Sequence, residues 1–225
     1  MKIIARIYND YKEKFGIPRQ AGLAPGLFSK IVFEPEYRVP EALRGIEEYS
    51  HLWLIWQFSE AVREEFSPTV RPPRLGGNKR VGVFATRAPY RPNPIGLSSV
   101  RLIKVERTKD EGHVLIVEGA DILDGTPIYD VKPYLAYTDS HPDAVGGFAE
   151  RVRSYHLKVE IPENLLKMIP SEKREGLISL LSEDPRPSYI DDAERVYGMS
   201  FGDTEIFFRV DGDTLFVTDI KKTFA

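Results

Sequence analysis

The 225-residue sequence contains no cysteine, and its histidines are few and scattered. Without cysteine the chain can form no disulfide bond, offers no thiolate to a metal and has no cysteine nucleophile. The histidines also lack the paired spacing of a metal site; they are His51, His113, His141 and His156. We therefore expect neither a bound metal nor cysteine chemistry.

Long apolar runs are missing as well. No segment approaches the roughly 18 apolar residues that a membrane-spanning helix needs. The first eight residues alternate apolar and charged positions, unlike the apolar core of a secretion signal. Hydrophobic residues make up 42% of the chain, which suffices for a sizeable core. We expect a soluble, cytoplasmic protein of one large or two smaller domains, without a membrane partner.

Acidic residues are absent from a window of forty residues, positions 66–105. The window carries a charge of +8 in a chain of net charge −3, so the remainder is at −11. A positive region on an otherwise acidic protein indicates a phosphate-bearing or other anionic partner. Prolines and glycines between the cations hold the backbone in a non-helical path, as a binding loop requires. The cations are Arg71, Arg74, Lys79, Arg80, Arg87, Arg91, Arg101 and Lys104.

Up to about residue 150, short apolar segments separated by glycine and proline predict strands. The candidate strands are residues 3–8, 31–33, 52–58, 81–86, 98–106, 114–118 and 127–131. A weak helical spacing follows Pro40 over residues 41–48. Residues 52–58 are apolar on both faces and should form a buried central strand. For Trp53 and Trp56, core packing is favoured over an aromatic platform for a base.

The pattern changes after about residue 145. Pro170 must interrupt any helix there, and Ser171 stands where an N-cap belongs. Three leucines at helical spacing predict a short amphipathic helix after it, namely Leu177, Leu180 and Leu181. Residues 200–210 and 214–218 predict a β-hairpin. The sequence therefore predicts a mainly β chain, with a β-rich domain over residues 1–145 and a small α+β domain over residues 146–225.

Two loop segments combine glycine or proline with groups that can bind an anion. Residues 12–26 place Arg19 and Gln20 beside Pro18, although these residues alone favour an ordinary surface loop. In residues 71–77, Arg71 and Arg74 project from a backbone fixed by two prolines. They either grip phosphates or are solvated loop charges.

Two further segments carry groups that can act on a substrate. In residues 81–96, prolines exclude a helix, and Asn93 can bond either an adenine edge or its own backbone. In residues 121–134, Asp130, Lys132 and Tyr134 alternate, so on a strand they share one face. That face is typical of a site, but a cross-strand salt bridge explains its charges equally well. Known nucleotide-binding loops and serine-centred motifs are absent, so the residues alone indicate a β-rich binder of an anionic ligand without choosing an enzyme.

Taken together and in this order, these segments resemble the TsaA-like or TrmO family of tRNA (adenine-N6)-methyltransferases, which act next to the anticodon. The similarity extends over nearly the whole chain. Its motifs are Tyr11-Lys-Glu-Lys-Phe15 with Pro18-Arg-Gln20, Ser50-His-Leu-Trp53, residues 71–77, residues 82–87 with 91–96, residues 124–127 with 130 and 132–134, and Asp184-Pro-Arg-Pro-Ser-Tyr189. Asp10 departs from the family pattern, in which proline is frequent at that position.

The resemblance implies a single-sheeted β-barrel methyltransferase that acts as a homodimer with S-adenosylmethionine. Its implied substrate is N6-threonylcarbamoyladenosine in a tRNA anticodon loop, which becomes the N6-methyl derivative. The implied cofactor contacts are Arg19, Gln20, Ala21, Gly22, Leu23, Arg87, Leu97, Gly119, Ala120 and Asp121. The alternatives are a non-catalytic RNA-binding or adaptor module on the same fold and a methyltransferase for another small phosphorylated substrate.

The chemistry of this substrate suggests roles for the polar residues. Its N6 already carries a carbonyl group, so the N6 proton is acidic and a carboxylate that removes it would assist attack. Asp121 and Asp124 are the candidate bases, and Lys132 or Tyr134 are candidates to hold the threonyl carboxylate or the carbonyl oxygen. The expected tRNA phosphate contacts are Arg71, Arg74, Lys79, Arg91 and Arg186.

Overall fold

A computed structural model describes residues 1–62, 65–72, 75, 79–150, 155–186 and 192–223. The predicted mainly β fold is confirmed, and helices are short and few within these ranges. The strands are β1 Ala5–Tyr8, β2 Phe28–Phe33, β3 His51–Gln57, β4 Thr69–Val70, β5 Val81–Gly82, β6 Ile95–Thr108, β7 Gly112–Glu118, β8 Pro127–Pro133, β9 Lys158–Glu160, β10 Tyr197–Phe201, β11 Thr204–Asp211 and β12 Thr214–Lys222. The α-helices are α1 Ala136–Asp139, α2 Glu163–Leu166 and α3 Ser171–Ser182.

Six strands of the amino-terminal part pair in the order β1-β2-β7-β6-β3-β8. The last strand, β8, pairs with the first through Ala5–Ile128 and Arg6–Pro127, so the circuit of pairings closes. One face of these strands is buried because apolar residues alternate along them. In β3, Leu52 and Leu54 are fully buried and Trp56 nearly so, whereas Trp53 and Ile55 on the other face are only half-buried.

The carboxy-terminal part has a second sheet, in the order β10-β11-β12-β9. Strands β11 and β12 form the predicted hairpin, but residues 200–210 are not one strand, because β10 ends at Phe201 and the chain turns at Gly202, whose φ is 59°. The three leucines of α3 are buried against this sheet. Helix α3 begins at Ser171, but the residue at its N-cap is Pro170 and no side chain caps it. The expected capping role of Ser171 is therefore wrong, because Ser171 lies one residue inside the helix and its Oγ donates to Glu172.

Two predicted elements have a different form in the structure. Residues 81–86 are not one strand, because β5 pairs only with the two-residue β4 and the chain then turns into a 3-10 helix, Val83–Ala85. Residues 41–48 form two 3-10 helices, Pro40–Leu43 and Ile46–Glu48. They are separated at Gly45, whose φ of 86° lies in the left-handed region and interrupts a continuous helix.

Two buried apolar clusters underlie the two sheets. The amino-terminal cluster lies inside the closed circuit, with residues such as Ile7, Leu54 and Val117. The second cluster joins α3 to strands β10–β12, and it also includes Tyr11, Ala24 and Leu27 from the segment between β1 and β2. Residues distant in sequence therefore share the carboxy-terminal core. Among the helices described, none is long and apolar enough to cross a bilayer.

Candidate active site

Two cavities, of about 530 and 510 Å³, adjoin in the amino-terminal part of the fold. They share the side chains of Trp53, Arg87, Leu97 and Asp121. We call these four residues the shared wall. The wall carries one acidic side chain, Asp121, and one basic side chain, Arg87. Two adjoining cavities with such a wall can hold two reactants next to each other.

Asp121 reaches the shared wall because two glycines bring their backbones into contact. Gly119 follows β7 with a φ of 80°, and its carbonyl accepts the N–H of Gly22 at 2.8 Å. A Cβ on Gly119 would lie 3.2 Å from the Gly22 Cα, so a side chain there would press the segments apart. The contact places Ala21 beside Asp121, and the Ala21 N–H donates to the Asp121 carboxylate.

A chain of hydrogen bonds orients the Asp121 carboxylate. Trp56 Nε1 donates to Ser98 Oγ at 3.0 Å, and Ser98 Oγ donates to Asp121 Oδ1 at 2.5 Å. Because an indole N–H can only donate, the Ser98 hydroxyl must direct its own proton to the carboxylate. The register of β3 and β6 pairs Trp56 with Gly96, whose missing side chain leaves room for the indole.

Burial dominates the ionisation of Asp121. The loss of solvent raises the pKa of its carboxyl group above the ordinary value. The hydrogen bond from Ser98, the backbone N–H groups and the positive charge of Arg87 act in the opposite direction without cancelling it. A buried carboxylate with a raised pKa binds a proton more readily than an exposed one, which suits a proton acceptor.

Arg87 provides the positive charge of the shared wall. Its Nη1 donates to the side-chain oxygen of Gln20 at 2.6 Å, which fixes both side chains. Arg19 and Gln20 line the first cavity, and Ala21 lines the second. The loop after β1 and the loop before β6 therefore meet at this point, as the grouping of their motifs predicted.

An aromatic group borders the second cavity. The ring of Tyr134 lies 5.4 Å from that of Trp53 and 6.1 Å from that of His51, measured between ring centres. Trp53 Nε1 donates to Asp139 Oδ2 at 2.8 Å, and that oxygen also accepts the N–H of Leu135. These two bonds, the one from Leu135 first, lower the pKa of Asp139. Asp139 thus holds Trp53 in its position on the shared wall.

The remaining implied cofactor contacts lie behind the cavities. Gly22 and Gly119 form the backbone contact described above, Ala120 is buried, and Leu23 is half-buried. None of these four lines either cavity. Their expected contact with a cofactor stays a prediction, whereas the contact between Gly22 and Gly119 directly holds the backbone next to Ala21 and Asp121.

Asp124 and Lys132 line neither of the two cavities. Asp124 accepts the N–H of Asn9 and pairs with Lys12, both at 2.8 Å, so it ties the loop after β1 to the loop before β8. Lys132 is largely exposed and pairs with Asp130 at 2.9 Å along the same strand, not across strands. We therefore do not retain Asp124 as a candidate base or Lys132 as a substrate contact.

The expected phosphate contacts have different surroundings. Arg71 and Lys79 are exposed, and Arg74 lies outside the described residues. Arg91 lines the first cavity, but its Nη1 donates to the carbonyls of Val83 and Thr86 and therefore also holds the turn after β5. No group of three or more histidine, aspartate or glutamate side chains in the described ranges is arranged to hold a metal.

Arg186 is a correction to the expected RNA contacts. Its side chain is only 9% exposed and makes two hydrogen bonds to Asp184, from Nε at 2.9 Å and from Nη2 at 3.0 Å. Burial alone would raise the pKa of Asp184, but Arg186 and the hydroxyl of Tyr155 outweigh it and the pKa is lowered. The guanidinium is thus committed to an internal ion pair and is not available to a phosphate.

Removing this guanidinium should destabilise the protein in a pH-dependent way. Arg186→Met leaves a buried carboxylate without its partner, which typically costs about 3–5 kcal/mol at pH 7. The lowered pKa of Asp184 stabilises the fold above its unfolded value of about 3.9, and this contribution is lost as the pH falls through the folded pKa. The difference in unfolding free energy between wild type and Arg186→Met, measured in urea, should therefore shrink below about pH 4. A deficit that is independent of pH would contradict this account; Lys167→Met, at an exposed pair with Glu163, is the control.

Family models match both parts of the chain. The model described as the tRNA-methyltransferase O N-terminal domain matches residues 6–140, and that of the TrmO C-terminal domain matches residues 154–223. The chain belongs to the TrmO family. The resemblance found in the loop motifs is thereby confirmed.

Individual members of the TrmO family are similar over most of their length. The tRNA (adenine(37)-N6)-methyltransferase of Escherichia coli (strain K12) is 40% identical over 215 residues, covering 92% of this chain and 91% of that protein. A putative S-adenosylmethionine-dependent methyltransferase of Pseudomonas aeruginosa, RcsF, is 39% identical over 211 residues, covering 90% and 89%. A crystal structure of TrmO from Pseudomonas aeruginosa superposes with a TM-score of 0.76 at 33% identity and covers 97% of each chain.

Ser98, Gly96 and Asp139 are site residues that the sequence did not predict. Ser98 and Gly96 act through their pairing with β3, which no local pattern reveals. The one available signal was the spacing of Gly96 and Ser98 in a strand next to the proline-rich loop, since glycine within a strand often marks a close approach.

Proposed function

We propose that this chain transfers a methyl group from S-adenosylmethionine to N6 of adenine 37 in tRNA. The observation that carries the proposal is the oriented carboxylate of Asp121 at the wall shared by two cavities, in a chain of the TrmO family. The names of the Escherichia coli and Pseudomonas aeruginosa relatives support this choice of reaction and methyl donor.

The shared wall fits the chemistry of the methyl donor. S-adenosylmethionine carries a carboxylate, an ammonium, a sulfonium and an adenosine. Arg87 complements the carboxylate, Asp121 complements a positive charge, and Leu97 with Trp53 offers apolar surface. The residues proposed to hold the donor are Arg19, Gln20, Ala21, Arg87, Leu97 and Asp121, and the resemblance adds Gly22, Leu23, Gly119 and Ala120 as further proposed contacts.

When bound, the donor supplies an electrophilic methyl group whose sulfur loses its positive charge on transfer. Asp121 Oδ2 is proposed to accept the N6 proton, while the bond from Ser98 keeps Oδ1 in place. Arg87 balances the negative charge of the Asp121 carboxylate before the methyl group is transferred. Leu97 and Trp53 offer apolar surface beside the reacting groups. Positioning of the nitrogen against the methyl group is proposed to contribute most of the rate enhancement.

We further propose N6-threonylcarbamoyladenosine as the nucleoside acted on. The carbonyl on N6 makes the N6 proton more acidic, which lets a carboxylate of raised pKa serve as the acceptor. Tyr134, which borders the second cavity, is the proposed contact to the carbonyl oxygen or the threonyl carboxylate. The six-stranded closed circuit supports the description of the amino-terminal domain as a single-sheeted β-barrel. A homodimer in the cytoplasm is proposed from the resemblance, and light scattering of the purified protein tests the dimer.

Two measurements test the proposed function. Mass spectrometry of tRNA from a strain lacking the gene should show loss of methylated threonylcarbamoyladenosine, restored by the intact gene. Calorimetry with S-adenosylmethionine should show binding to the purified protein. Absence of binding would favour a non-catalytic RNA-binding module, and unchanged tRNA in the deletion strain would favour a different methyl acceptor.

The exposed cations at positions 66–105, the window without acidic residues, should contribute to tRNA affinity through phosphate contacts. Arg71→Ala and Lys79→Ala should each flatten the dependence of log affinity on log salt by about one unit. The measurement is tRNA binding between low and moderate salt, with Lys109→Ala, outside the window, as the control. An unchanged slope would remove the substituted residue from the proposed RNA contact surface.

A further inference from the structure

The segment that supplies Arg19, Gln20 and Ala21 is anchored in the carboxy-terminal part of the protein. We call residues 9–27 the β1–β2 segment. Its side chains Tyr11, Ala24 and Leu27 are buried in the same cluster as α3 and the second sheet, and Phe15 and Ile17 pack against that cluster. The cavity-lining residues thus lie on a segment whose apolar side chains belong to a different core.

Close contacts and polar bonds reinforce this anchoring. Lys173 of α3 pairs with Asp10 at 2.8 Å, and the Asp10 carbonyl accepts the N–H of Gly202 at 2.9 Å. Glu13 accepts the N–H of Ser200 at 2.7 Å. Gly16 has a φ of 90°, and a Cβ there would overlap the buried Met199 side chain. The first half of the segment therefore fits closely against β10 and the following turn.

The second half is held by Arg19. Its Nη2 donates to the backbone carbonyls of Asp184 at 2.9 Å and Arg186 at 3.1 Å. Those carbonyls are fixed because Asp184 has a φ of 50° and its carboxylate binds both Arg186 and Tyr155. Gln20, the next residue along the segment, is the partner of Arg87 on the shared wall.

We propose that the carboxy-terminal domain positions the cofactor-binding loop, with the Asp184–Arg186 turn acting through Arg19 on Gln20 and Ala21. Asp184 and Arg186 are positioning residues, since neither lines a cavity. The inference rests on the proposed function because it assigns the first cavity's loop to S-adenosylmethionine. It explains why a buried ion pair stands in a motif that sequence reasoning assigns to RNA.

The test compares cofactor affinity and turnover in full-length variants. Asp184→Ala removes the acceptor for Arg186 and places alanine in a left-handed conformation, so the turn should open. If the competent loop conformation falls to about a tenth of the population, the Kd for S-adenosylmethionine rises about tenfold. The KM for tRNA and kcat at saturating cofactor should stay near wild type. Asp184→Asn, which keeps one acceptor and tolerates this backbone, should recover most of the affinity.

A second variant guards against simple misfolding. Lys173→Met breaks the ion pair between α3 and Asp10 and should also weaken the binding of S-adenosylmethionine. Lys167→Met, in the exposed pair with Glu163, should leave that binding unchanged. Wild-type affinity in both Asp184→Ala and Lys173→Met, with folding verified by circular dichroism, overturns the positioning role. A raised KM for tRNA with unchanged cofactor affinity also overturns it. Failure of the wild-type protein to bind S-adenosylmethionine would instead reject the proposed function.

Discussion

Replacement of Asp121 by asparagine should lower the single-turnover rate of tRNA methylation by about 10²- to 10⁴-fold, the usual contribution of a positioned general base. Asparagine keeps the acceptor for Ser98 Oγ but cannot take up the N6 proton. Affinity for tRNA should be retained. The measurement is a rapid-quench assay with the enzyme in excess over tRNA.

The same substitution should not weaken the fold. Because burial raises the pKa of Asp121, its contribution to stability is full below the unfolded pKa and is lost as the pH rises through the folded pKa. Above the folded pKa the ionised group therefore opposes folding, and in that pH range Asp121→Asn should unfold at an equal or higher urea concentration than wild type. Asp124→Asn is the matched control, since it breaks the bond to Lys12 and should reduce stability while leaving methylation within a few-fold. Full activity of Asp121→Asn would reject the assigned base.

Gly96→Ala should lower both the stability and the methylation rate of the protein, because the new side chain displaces Trp56. A Cβ at this position would lie 2.2 Å from Trp56 Cε2, so the indole must move. Overpacking of this kind costs about 1–3 kcal/mol. Displacement also removes the donor to Ser98 Oγ, which leaves the serine free to turn away from Asp121. Urea unfolding followed by tryptophan fluorescence and the same rapid-quench assay measure the two effects.

Gly82→Ala provides the control for Gly96→Ala. Gly82 also lies in a strand, the two-residue β5, and within the window that lacks acidic residues, but a Cβ there meets no atom within 4 Å. The free energy of unfolding of Gly82→Ala should stay within about 0.5 kcal/mol of wild type. Equal losses in both glycine variants would mean that the effect comes from glycine removal in general and not from the contact with Trp56.

The sequence alone was sufficient for the fold class because alternation and turn residues are local signals. It predicted β3, β7 and β8 nearly in place, and it grouped the loops that meet at Arg87, Gln20 and Asp121. It also predicted that Asp130 and Lys132 share a face of β8, and they do pair there. The β3–β8 register places Lys132 opposite Trp53 of the shared wall, yet Asp130 and Lys132 line neither of the two cavities; of the three alternating residues only Tyr134 does.

The remaining errors concern partners that depend on the folded structure and have no local signal in the sequence. Ser98 matters because it lies opposite Leu54 in the β3–β6 register, next to Trp56, and this pairing depends on the whole sheet. Arg186 was read as a free cation, although its partner Asp184 is only two residues away. The pairing requires the left-handed backbone at Asp184, which is uncommon for aspartate and has no local signal here. In both cases tertiary packing determined the role of the residue.

Methylation by the purified protein tests the central claim most directly. Wild-type protein would be mixed with tRNA bearing threonylcarbamoyladenosine and with S-adenosylmethionine carrying a deuterated methyl group. The tRNA would then be digested to nucleosides and analysed by mass spectrometry. The account predicts a labelled methyl group on N6 of the nucleoside at position 37, and loss of this product with Asp121→Asn. A label at another nucleoside, or no transfer by a protein that binds both tRNA and the methyl donor, would contradict it.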